Sequence, residues 1–456
     1  MYFEDALPLL MFAALAVLLF CGFPVAFVLG GVGFGFGLIG WYFDVFNIVE
    51  FFNLAPRIWG GTAENLVLVA VPMFVFMGTM LERSGVAKDL LECLEILLRR
   101  VAGGLALSVT LMGTIMAATT GIIGASVVMM SILALPVMVR SGYNHSLATG
   151  TICASGTLGI LIPPSIMLVL MADLLQISVG TLFMAAVFPG LILSGLYYLY
   201  INILCRFRPH LAPPLPEDAG PDSMGALLLL VIRSFVPPVI LIFLVLGSIF
   251  FGWATPTEAS GVGAAGAVLL AVAKRNLTLE VLREVVIRTA LTNAMIFGIF
   301  VGATAFSYVF RSLGGDFVVE DLILGSGLHD WGILIVIMAV VFVLGFFFDW
   351  LEITLIVLPI FAPILRQLQA LADHVGGVGL IVPWFAILVA VNLQTSFLTP
   401  PFGFALFYLK GVAPEEIRIQ EIYLGIVPFV LLQLLGLGIV MAFPQVALWL
   451  PGVLLD

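Results

Sequence analysis

Two apolar segments of the sequence each contain a pair of adjacent prolines, Pro163-Pro164 and Pro400-Pro401. Both apolar runs are long enough to cross a lipid bilayer. Proline lacks a backbone N–H and clashes with the carbonyl one turn earlier, so each pair interrupts a helix and leaves carbonyl oxygens without partners. Broken helices at corresponding positions in two halves of a chain are typical of the central site of a secondary transporter. The sequence therefore predicts two discontinuous helices that share one polar site.

The composition indicates that most of the chain lies in a membrane. Of its residues, 62% are hydrophobic and 10% are charged, and the mean hydropathy is +1.24. Soluble domains have about a quarter of their residues charged. We therefore predict an all-α polytopic membrane protein whose main surroundings are the lipid bilayer, with no nucleic acid as a partner. No basic residue precedes the first apolar run, so we interpret that run as a retained span and not as a signal peptide.

Cysteines and histidines are few and scattered. The sequence has four of each, without CxxC or paired-histidine spacing. We predict no disulfide framework, no metal cluster and no cofactor.

An internal repeat of about 200 residues divides the chain. The first copy is 1–205, a Pro-rich linker follows at 206–228, and the second copy is 229–456. Five landmarks occur in the same order in both copies. They are Pro8 and Pro24 with Pro237 and Pro256, Arg83-Ser84-Gly85 with Arg311-Ser312-Leu313-Gly314, Leu135-Pro136 with Leu358-Pro359, Pro163-Pro164 with Pro400-Pro401, and Pro189 with Pro428.

Each copy is predicted to contain five spanning helices, the fourth of them discontinuous, and one re-entrant helical hairpin. In the first copy the spans lie near 6–21, 23–41, 64–81, 146–173 and 180–205, and the hairpin lies near 104–138. In the second copy the spans lie near 236–251, 256–273, 291–310, 383–410 and 422–445, and the hairpin lies near 332–365. Amphipathic stretches at 42–60, 86–100 and 276–290 are interpreted as bracing helices in the membrane interface or as docking surfaces. Because five is an odd number, the two copies must have inverted topology.

The distribution of basic residues agrees with this topology. Of the 17 lysines and arginines, only Arg57, Arg311 and Arg366 fall on one side, and the other side is the cytoplasmic one because positive charges collect there. We predict a multi-pass protein of the bacterial inner membrane with both termini in the periplasm. Its hairpins then open to opposite faces, which suits alternating access by a largely rigid movement.

Polar residues cluster at the tips of both hairpins and along both broken helices. Hydroxyl and carbonyl oxygens next to glycine suit a hard cation such as Na⁺, and Asp349 and Glu352 add two intramembrane carboxylates one turn apart. The candidate Na⁺ ligands are Thr119, Thr120, Gly121, Ser126, Ser155, Thr157, Gly159, Asp349, Asn392, Thr395 and Thr399. The candidate substrate-binding residues are Gly124, Pro163, Pro164, Ser165, Glu352, Gln394, Ser396, Pro400 and Pro401.

These clusters have alternative interpretations. Glycine and serine at the first hairpin tip are also typical of close helix packing in membranes. The two acids of the second hairpin would be ordinary solvated carboxylates if the tip lay at the membrane surface, and they would make the coupling ion a proton if they titrate. The glycines between Gly30 and Gly40 are interpreted as helix packing and not as a nucleotide-binding loop, and Glu258 as a helix cap.

Several segments together have a specific pattern. They are Val71-Pro72-Met73-Phe74 with Gly78 and Ser84-Gly85, Arg140-Ser141-Gly142-Tyr143, Gly156-Thr157-Leu158-Gly159-Ile160-Leu161-Ile162-Pro163-Pro164-Ser165, Ala254-Thr255-Pro256-Thr257-Glu258-Ala259 and Leu398-Thr399-Pro400-Pro401-Phe402-Gly403. This pattern resembles the large membrane subunit of the tripartite ATP-independent periplasmic (TRAP) transporters, the DctM-type permease. The resemblance covers essentially the whole chain.

The resemblance implies an elevator-type, Na⁺-driven importer of small organic acids. Such a chain works with a separate four-helix small membrane subunit and with an extracytoplasmic solute-binding protein that delivers the substrate. The hairpin tips and broken helices would form the moving transport domain and carry the Na⁺ sites, while the early spans of each copy would form the scaffold that holds the small subunit.

Two segments depart from the family pattern. The first hairpin tip reads Thr120-Gly121-Ile122-Ile123-Gly124, with fewer hydroxyl groups than the Ser-Gly-Ser tip of many relatives. The second broken helix reads Asn392-Leu393-Gln394-Thr395-Ser396, which is more polar than in relatives of the sialic-acid and dicarboxylate type. The identity of the organic acid is therefore left open.

Other functions remain as alternatives. The main one is a self-sufficient, ion-coupled symporter or antiporter of organic anions with the same broad fold, which would need no binding protein. An intramembrane enzyme is disfavoured, because the chain has no HExxH motif and no second intramembrane aspartate obviously facing Asp349. A channel is disfavoured because channels more often use symmetric oligomeric pores than inverted repeats. Neighbouring genes for a four-span protein and a secreted binding protein would favour the tripartite system.

Overall fold

The computed structural model describes residues 3–120, 123–215, 223–400 and 403–455, without the side chains of residues 3–5, 118–120 and 455. Every regular element in these ranges is helical. Nine helical segments among them are long and apolar enough to cross a membrane. The prediction of an all-α polytopic membrane protein is confirmed.

The α-helices follow one another with short connections. They are α1 (Phe3–Phe20), α2 (Val25–Tyr42), α3 (Leu54–Ile58), α4 (Ala70–Arg83), α5 (Val86–Leu98), α6 (Gly104–Thr120), α7 (Ile123–Arg140), α8 (His145–Thr157), α9 (Ile166–Leu174), α10 (Val179–Phe207), α11 (Met224–Ser234), α12 (Val236–Phe250), α13 (Pro256–Ala273), α14 (Leu279–Ser312), α15 (Gly315–Leu324), α16 (Asp330–Leu344), α17 (Trp350–Leu365), α18 (Gln369–Val375), α19 (Val378–Leu398), α20 (Phe404–Val412), α21 (Ile419–Ala442) and α22 (Gln445–Leu455).

Both double prolines interrupt a helix as predicted. A 3₁₀ turn, Leu158–Ile160, follows α8, and the chain then passes through Pro163-Pro164 before α9 begins. In the second half, α19 ends and α20 begins on either side of the other proline pair. The two hairpins are present as well: α6 and α7 pack against each other as hairpin one, and α16 and α17 pack against each other as hairpin two.

The helices pack as two groups that each draw on both halves of the chain. In the scaffold group, α1–α5 and α11–α15, the main contacts are α2 with α14 and α4 with α13. In the transport group, α6–α10 and α16–α22, α8 packs on α21 and α10 on α19, while α7 packs on α20 and α17 on α9. If each helix is replaced by its equivalent in the other copy, the pair α2–α14 becomes α13–α4, α8–α21 becomes α19–α10, and α7–α20 becomes α17–α9. The contact pattern is thus the one expected of two related halves.

Glycines allow α2 and α14 of the scaffold group to lie close together. A Cβ on Gly33 of α2 would lie 3.1 Å from the backbone of Ala305 in α14, and one on Gly302 would lie 2.3 Å from the Ala26 carbonyl oxygen. The interpretation as packing residues is therefore supported for Gly33, and also for Gly37 and Gly40, which face Phe51 and Leu313, whereas a Cβ on Gly31 or Gly35 would meet open space. Close approach of backbones through small residues is the usual way in which membrane helices gain dispersion energy.

The capping prediction for Glu258 is also confirmed. Its carboxylate accepts a hydrogen bond from the Thr255 backbone N–H at 2.8 Å, and its own N–H donates to the Thr255 hydroxyl at 3.3 Å. These two bonds form a capping box at the start of α13.

One predicted element is wrong, and four helices were not predicted, namely α11, α15, α18 and α22. Helix α11 begins at Met224, inside the predicted linker 206–228. The stretch 276–290 is not a separate interfacial helix, because α14 runs without interruption from Leu279 to Ser312. No proline or glycine occurs in that helix before Gly298, whereas Pro56, Gly60 and Gly61 break up the matching stretch 42–60 into short helical turns. Helices α15, α18 and α22 are too short or too near a chain end to give a clear apolar period.

Candidate functional site

The tip of hairpin two places two carboxylates at the start of α17. Asp349 is the N-cap residue, and its Oδ1 accepts a hydrogen bond from the Trp350 N–H at 2.8 Å. Glu352 in the first turn is only 3% exposed. An acid at a helix N-terminus interacts favourably with the helix dipole, which explains why this turn tolerates both charges. The alternative that these acids are solvated is wrong for Glu352.

The last turns of α19 carry the most polar run of the second half. The Asn392 side-chain amide donates to the Met338 carbonyl of α16 at 2.7 Å, and so connects the broken helix to hairpin two. The hydroxyls of Thr395, Ser396 and Thr399 donate to carbonyls one turn earlier, at 3.3, 3.1 and 2.7 Å. Each of these hydroxyl oxygens keeps lone pairs that can coordinate a cation.

Hairpin two and the broken helix approach each other at a glycine. Gly345 directly follows α16, and a Cβ built there would lie 2.4 Å from the Ser396 Cβ. The absence of a side chain at Gly345 therefore permits the contact, and the tip of hairpin two lies against the polar end of α19.

Four buried polar atoms in this region have no hydrogen-bond partner within the described residues. They are Glu352 Oε2, Thr354 Oγ1 and both terminal atoms of Gln394. Thr354 and Gln394 are fully buried, and α17, which carries Glu352 and Thr354, packs against α19, which carries Gln394. A buried polar group without a partner costs about 1–3 kcal/mol. Unpaired buried oxygen and nitrogen atoms of this kind mark places where a bound ion, water or ligand can complete the coordination.

The first broken helix is more nearly self-satisfied. The Ser165 hydroxyl donates to the Ile160 carbonyl at 2.6 Å, which is one of the carbonyls that the break releases. The Thr157 hydroxyl accepts a hydrogen bond from the Gln433 amide of α21 at 3.4 Å, while the Gln433 Oε1 has no partner among the described atoms. Ser155, Gly159, Pro163 and Pro164 are buried in the same segment.

The tips of the two hairpins meet at α20. Gly124, in the first turn of α7, faces the ring of Tyr408, because a Cβ on this glycine would lie 2.9 Å from that ring. Asp349 lies within electrostatic reach of the Tyr408 phenol. Ser126 is buried on α7, and Pro400 is exposed beside the half-buried Thr399. The side chains of Thr119 and Thr120, and all of Gly121 and Pro401, lie outside the described residues.

Four residues of this region were not predicted from the sequence. Tyr408 is a phenol in the short helix after the second proline pair, where Lys410 is the other polar side chain, and its hydroxyl was an available signal. Gly345 and Thr354 flank the predicted tip of hairpin two. Gln433 gave no signal, since it is a single polar residue in a long apolar span.

The donor set suits a hard monovalent cation better than a transition metal. Among the described residues, no group of three or more histidine, cysteine, aspartate or glutamate side chains could hold a metal ion. The oxygens that are present come from carboxylates, amides, hydroxyls and backbone carbonyls, which are the ligands of hard cations.

Comparison with known proteins identifies the family to which the chain belongs. The model of the family described as "Tripartite ATP-independent periplasmic transporter, DctM component" matches residues 12–446. The chain belongs to the DctM family. It is therefore a TRAP-type large permease subunit in a multi-pass membrane fold, and the resemblance noted in the sequence is confirmed.

Individual relatives agree with this assignment. The chain is 31% identical over 394 residues to the C4-dicarboxylate TRAP transporter large permease protein DctM of Pseudomonas aeruginosa, covering 86% of this chain and 87% of that protein. It is 27% identical to the sialic acid TRAP transporter large permease protein SiaM of Vibrio cholerae, covering 96% and 97%. The crystal structure of the Alcanivorax borkumensis YdaH transporter has a similar fold, with a TM-score of 0.63 at 13% identity over 88% of this chain and 90% of that one.

Proposed function

We propose that this DctM-type chain is the large permease subunit of a Na⁺-coupled, binding-protein-dependent transporter that imports a small organic acid across the bacterial inner membrane. The observation that carries the proposal is the set of unpaired buried atoms of Glu352, Thr354 and Gln394 where hairpin two meets the second broken helix. A purely structural core would not retain several unpaired polar atoms in one place.

The coupling ion would be held mainly by oxygens of the second half. Asp349 and Glu352 supply negative charge, and Gln394, Asn392 and Thr395 supply neutral oxygens on the adjoining helix. A monovalent cation compensates a buried carboxylate whose isolated charge is costly. A second group of hydroxyl and carbonyl oxygens, at Ser155, Thr157 and Gly159 with the hairpin-one residues Thr119, Thr120, Gly121 and Ser126, offers a further ion site in the first half.

The substrate would bind between the hairpin tips, next to the ion. The relatives named above are a C4-dicarboxylate and a sialic acid permease, and both kinds of substrate are small organic acids. A bound cation and the backbone N–H groups of interrupted helices supply positive potential for a carboxylate. Gly124, Ser165 and Ser396, with the two proline pairs, are the proposed contacts, while Glu352 and Gln394, which the sequence predicted as substrate-binding residues, are assigned to the ion instead.

Movement of the transport group relative to the scaffold group would give alternating access. Each group is held together by reciprocal packing between the two halves of the chain, so that each can act as one body. The inverted topology of the copies 1–205 and 229–456, with both termini in the periplasm, would present the same site to either face of the membrane in turn.

The partners follow from the tripartite organisation of the family. A small four-helix membrane subunit would pack on the scaffold group, whose helix α2 has large exposed apolar side chains such as Phe27 and Tyr42. An extracytoplasmic solute-binding protein would deliver the substrate to the periplasmic face.

Uptake into proteoliposomes tests the proposal. The chain and its small subunit are reconstituted, and uptake of an organic acid is measured with and without an inward Na⁺ gradient and with and without the binding protein. Uptake is expected to need both the Na⁺ gradient and the binding protein. Uptake without the binding protein would instead support a self-sufficient carrier, and uptake without Na⁺ would refute the coupling.

A further inference from the structure

A polar cleft with two arginines opens between the scaffold and transport groups, away from the unpaired atoms of the central site. This outer cleft has a volume of about 440 Å³ and is lined by Arg57 of α3, by α14 residues that include Tyr308 and Arg311, and by residues of α9 and α17. A cavity of this size accommodates a small ligand. Both arginines belong to the three basic residues predicted on the periplasmic side.

Arg57 is held in place without a salt bridge, although Asp173 lies on the same cleft wall and Glu50 accepts a hydrogen bond from the Tyr308 hydroxyl at 3.3 Å. The Arg57 guanidinium carbon lies 4.6 Å from the centre of the Tyr308 ring, in a cation–π arrangement. No acidic side chain within the described residues forms a salt bridge with it, whereas Arg311 pairs with Asp316 at 3.4 Å. The one acid on the cleft wall, Asp173, accepts a hydrogen bond from Asn65 at 2.7 Å.

A second cleft occupies the equivalent place in the other copy. This inner cleft, of about 410 Å³, lies between α4, α5, α7 and α14 and includes Arg83, Lys88 and Arg288. Arg83 is the repeat equivalent of Arg311, and α7 is the equivalent of α17. Because α14 is one continuous helix, Arg288 and Arg311 stand about 23 residues, or roughly 35 Å, apart along it. The clefts therefore open at opposite ends of the molecule.

The basic residues of the inner cleft are all paired. Arg83 and Arg288 both contact the Glu284 carboxylate at 3.2 Å, and Lys88 lies 3.7 Å from Glu92. Of the two related clefts, the outer one alone presents an arginine without an acidic partner among the described residues. A guanidinium that is oriented and unpaired is well suited to bidentate binding of a carboxylate.

We infer that the outer cleft is a capture site for the carboxylate of the incoming organic acid, with Arg57 as the anion-binding group. The inference rests on the proposed function, since it supplies a first binding position before the central site. The inner cleft, whose cations are already compensated, holds an anion less well. The two clefts therefore differ in anion affinity, while the ion gradient sets the direction of net transport.

The charge of the cleft can be measured without knowing the natural substrate. In the full complex with its native cysteines replaced, Ser307→Cys puts a thiol on the cleft wall, and its labelling rates with an anionic and a cationic methanethiosulfonate are compared. Adding Arg57→Gln is expected to lower the ratio of anionic to cationic rate roughly fivefold, the size expected of one unpaired charge in a partly solvated cleft. Arg366→Gln, which removes an exposed periplasmic arginine elsewhere, is the matched control and is expected to leave the ratio unchanged.

Succinate, a C4-dicarboxylate, serves as the ligand probe. It is expected to slow labelling more than chloride at equal ionic strength when Arg57 is present, and no more than chloride in Arg57→Gln. Equal protection in both proteins, or an unchanged rate ratio, would overturn the inference. If the binding protein docked more weakly to Arg57→Gln while the ratio of anionic to cationic labelling rates stayed unchanged, Arg57 would be a residue that docks the binding protein and not one that binds the substrate. The proposed function is tested separately, by measuring whether uptake by the parent complex depends on Na⁺ and on the binding protein. A failure of the capture-site inference can therefore be distinguished from a failure of the proposed function.

Discussion

Alanine at position 345 should force hairpin two away from the second broken helix. A Cβ there would lie 2.4 Å from the Cβ and 2.5 Å from the Oγ of Ser396. Carbon atoms in ordinary contact are about 3.5–4.0 Å apart, so the two segments must separate by roughly 1 Å. The backbone at Gly345 has φ −66° and ψ −8°, which alanine adopts without strain, so the clash alone sets the cost. Overpacking of this kind costs about 1–3 kcal/mol.

Two assays follow the effect of Gly345→Ala. The unfolding temperature of the purified complex is expected to fall, and Na⁺-driven uptake is expected to fall more steeply, because the shift displaces the tip that carries Asp349 and Glu352. Gly247→Ala on α12, where a Cβ meets open space, is the matched control and should be neutral or slightly stabilising. Adding Ser396→Gly, which removes the clashing atoms, should restore part of the lost stability. If Gly345→Ala behaved like Gly247→Ala in both assays, the packing argument would be refuted.

Three further predictions concern charges and caps. Asp349→Asn keeps a good N-cap residue and removes the negative charge. Uptake should therefore fall at least tenfold, while the unfolding temperature changes little. Normal Na⁺-dependent uptake by this variant would exclude Asp349 from the site. Burial, with a contribution from Glu92, raises the pKa of Glu95 on α5 from 4.5 to about 7, so the stability of the protein should fall as pH rises through 7. Glu95→Gln should therefore be more stable than the parent at pH 8 by on the order of 1–2 kcal/mol, and this difference should vanish near pH 4.5. A difference in stability that does not depend on pH would contradict this prediction. Thr255→Ala should lower stability by about 1 kcal/mol through loss of the α13 cap, as checked by thermal unfolding, and no loss would show that the capping box is energetically silent.

The breaks and hairpins could be predicted because their causes are local. Proline pairs end a helix wherever they occur, and the polar tips at Thr119–Gly124 and Phe347–Trp350 mark turns between apolar runs of helical length. The prediction for 276–290 is wrong, because the amphipathic pattern there suggests a separate helix. No proline or glycine separates this stretch from the following span, so the two form one helix. Periodicity describes the face of a helix, but it does not by itself show where a helix ends.

The details of the site could not be predicted, because they depend on tertiary packing. The sequence identified Glu352 and Gln394 as polar residues in apolar surroundings, but it could not show that their terminal atoms lack partners. The contact of Gly124 with Tyr408 joins residues that are far apart in the chain. Arg57 lies over the Tyr308 ring and forms no salt bridge within the described residues, although Asp173 is on the same cleft wall, and no spacing rule describes such an arrangement.

The central claim is that the unpaired buried atoms of hairpin two and the second broken helix bind the coupling ion, and Gln394→Leu tests it most directly. The unfolding temperature of the purified complex is measured against Na⁺ concentration, with K⁺ keeping the ionic strength constant. Without Na⁺ the variant should unfold at a higher temperature than the parent, because an unpaired buried amide that costs about 1–3 kcal/mol has been replaced by an apolar side chain. Rising Na⁺ should stabilise the parent and no longer stabilise the variant. Equal stabilisation of both proteins by Na⁺ would contradict the account.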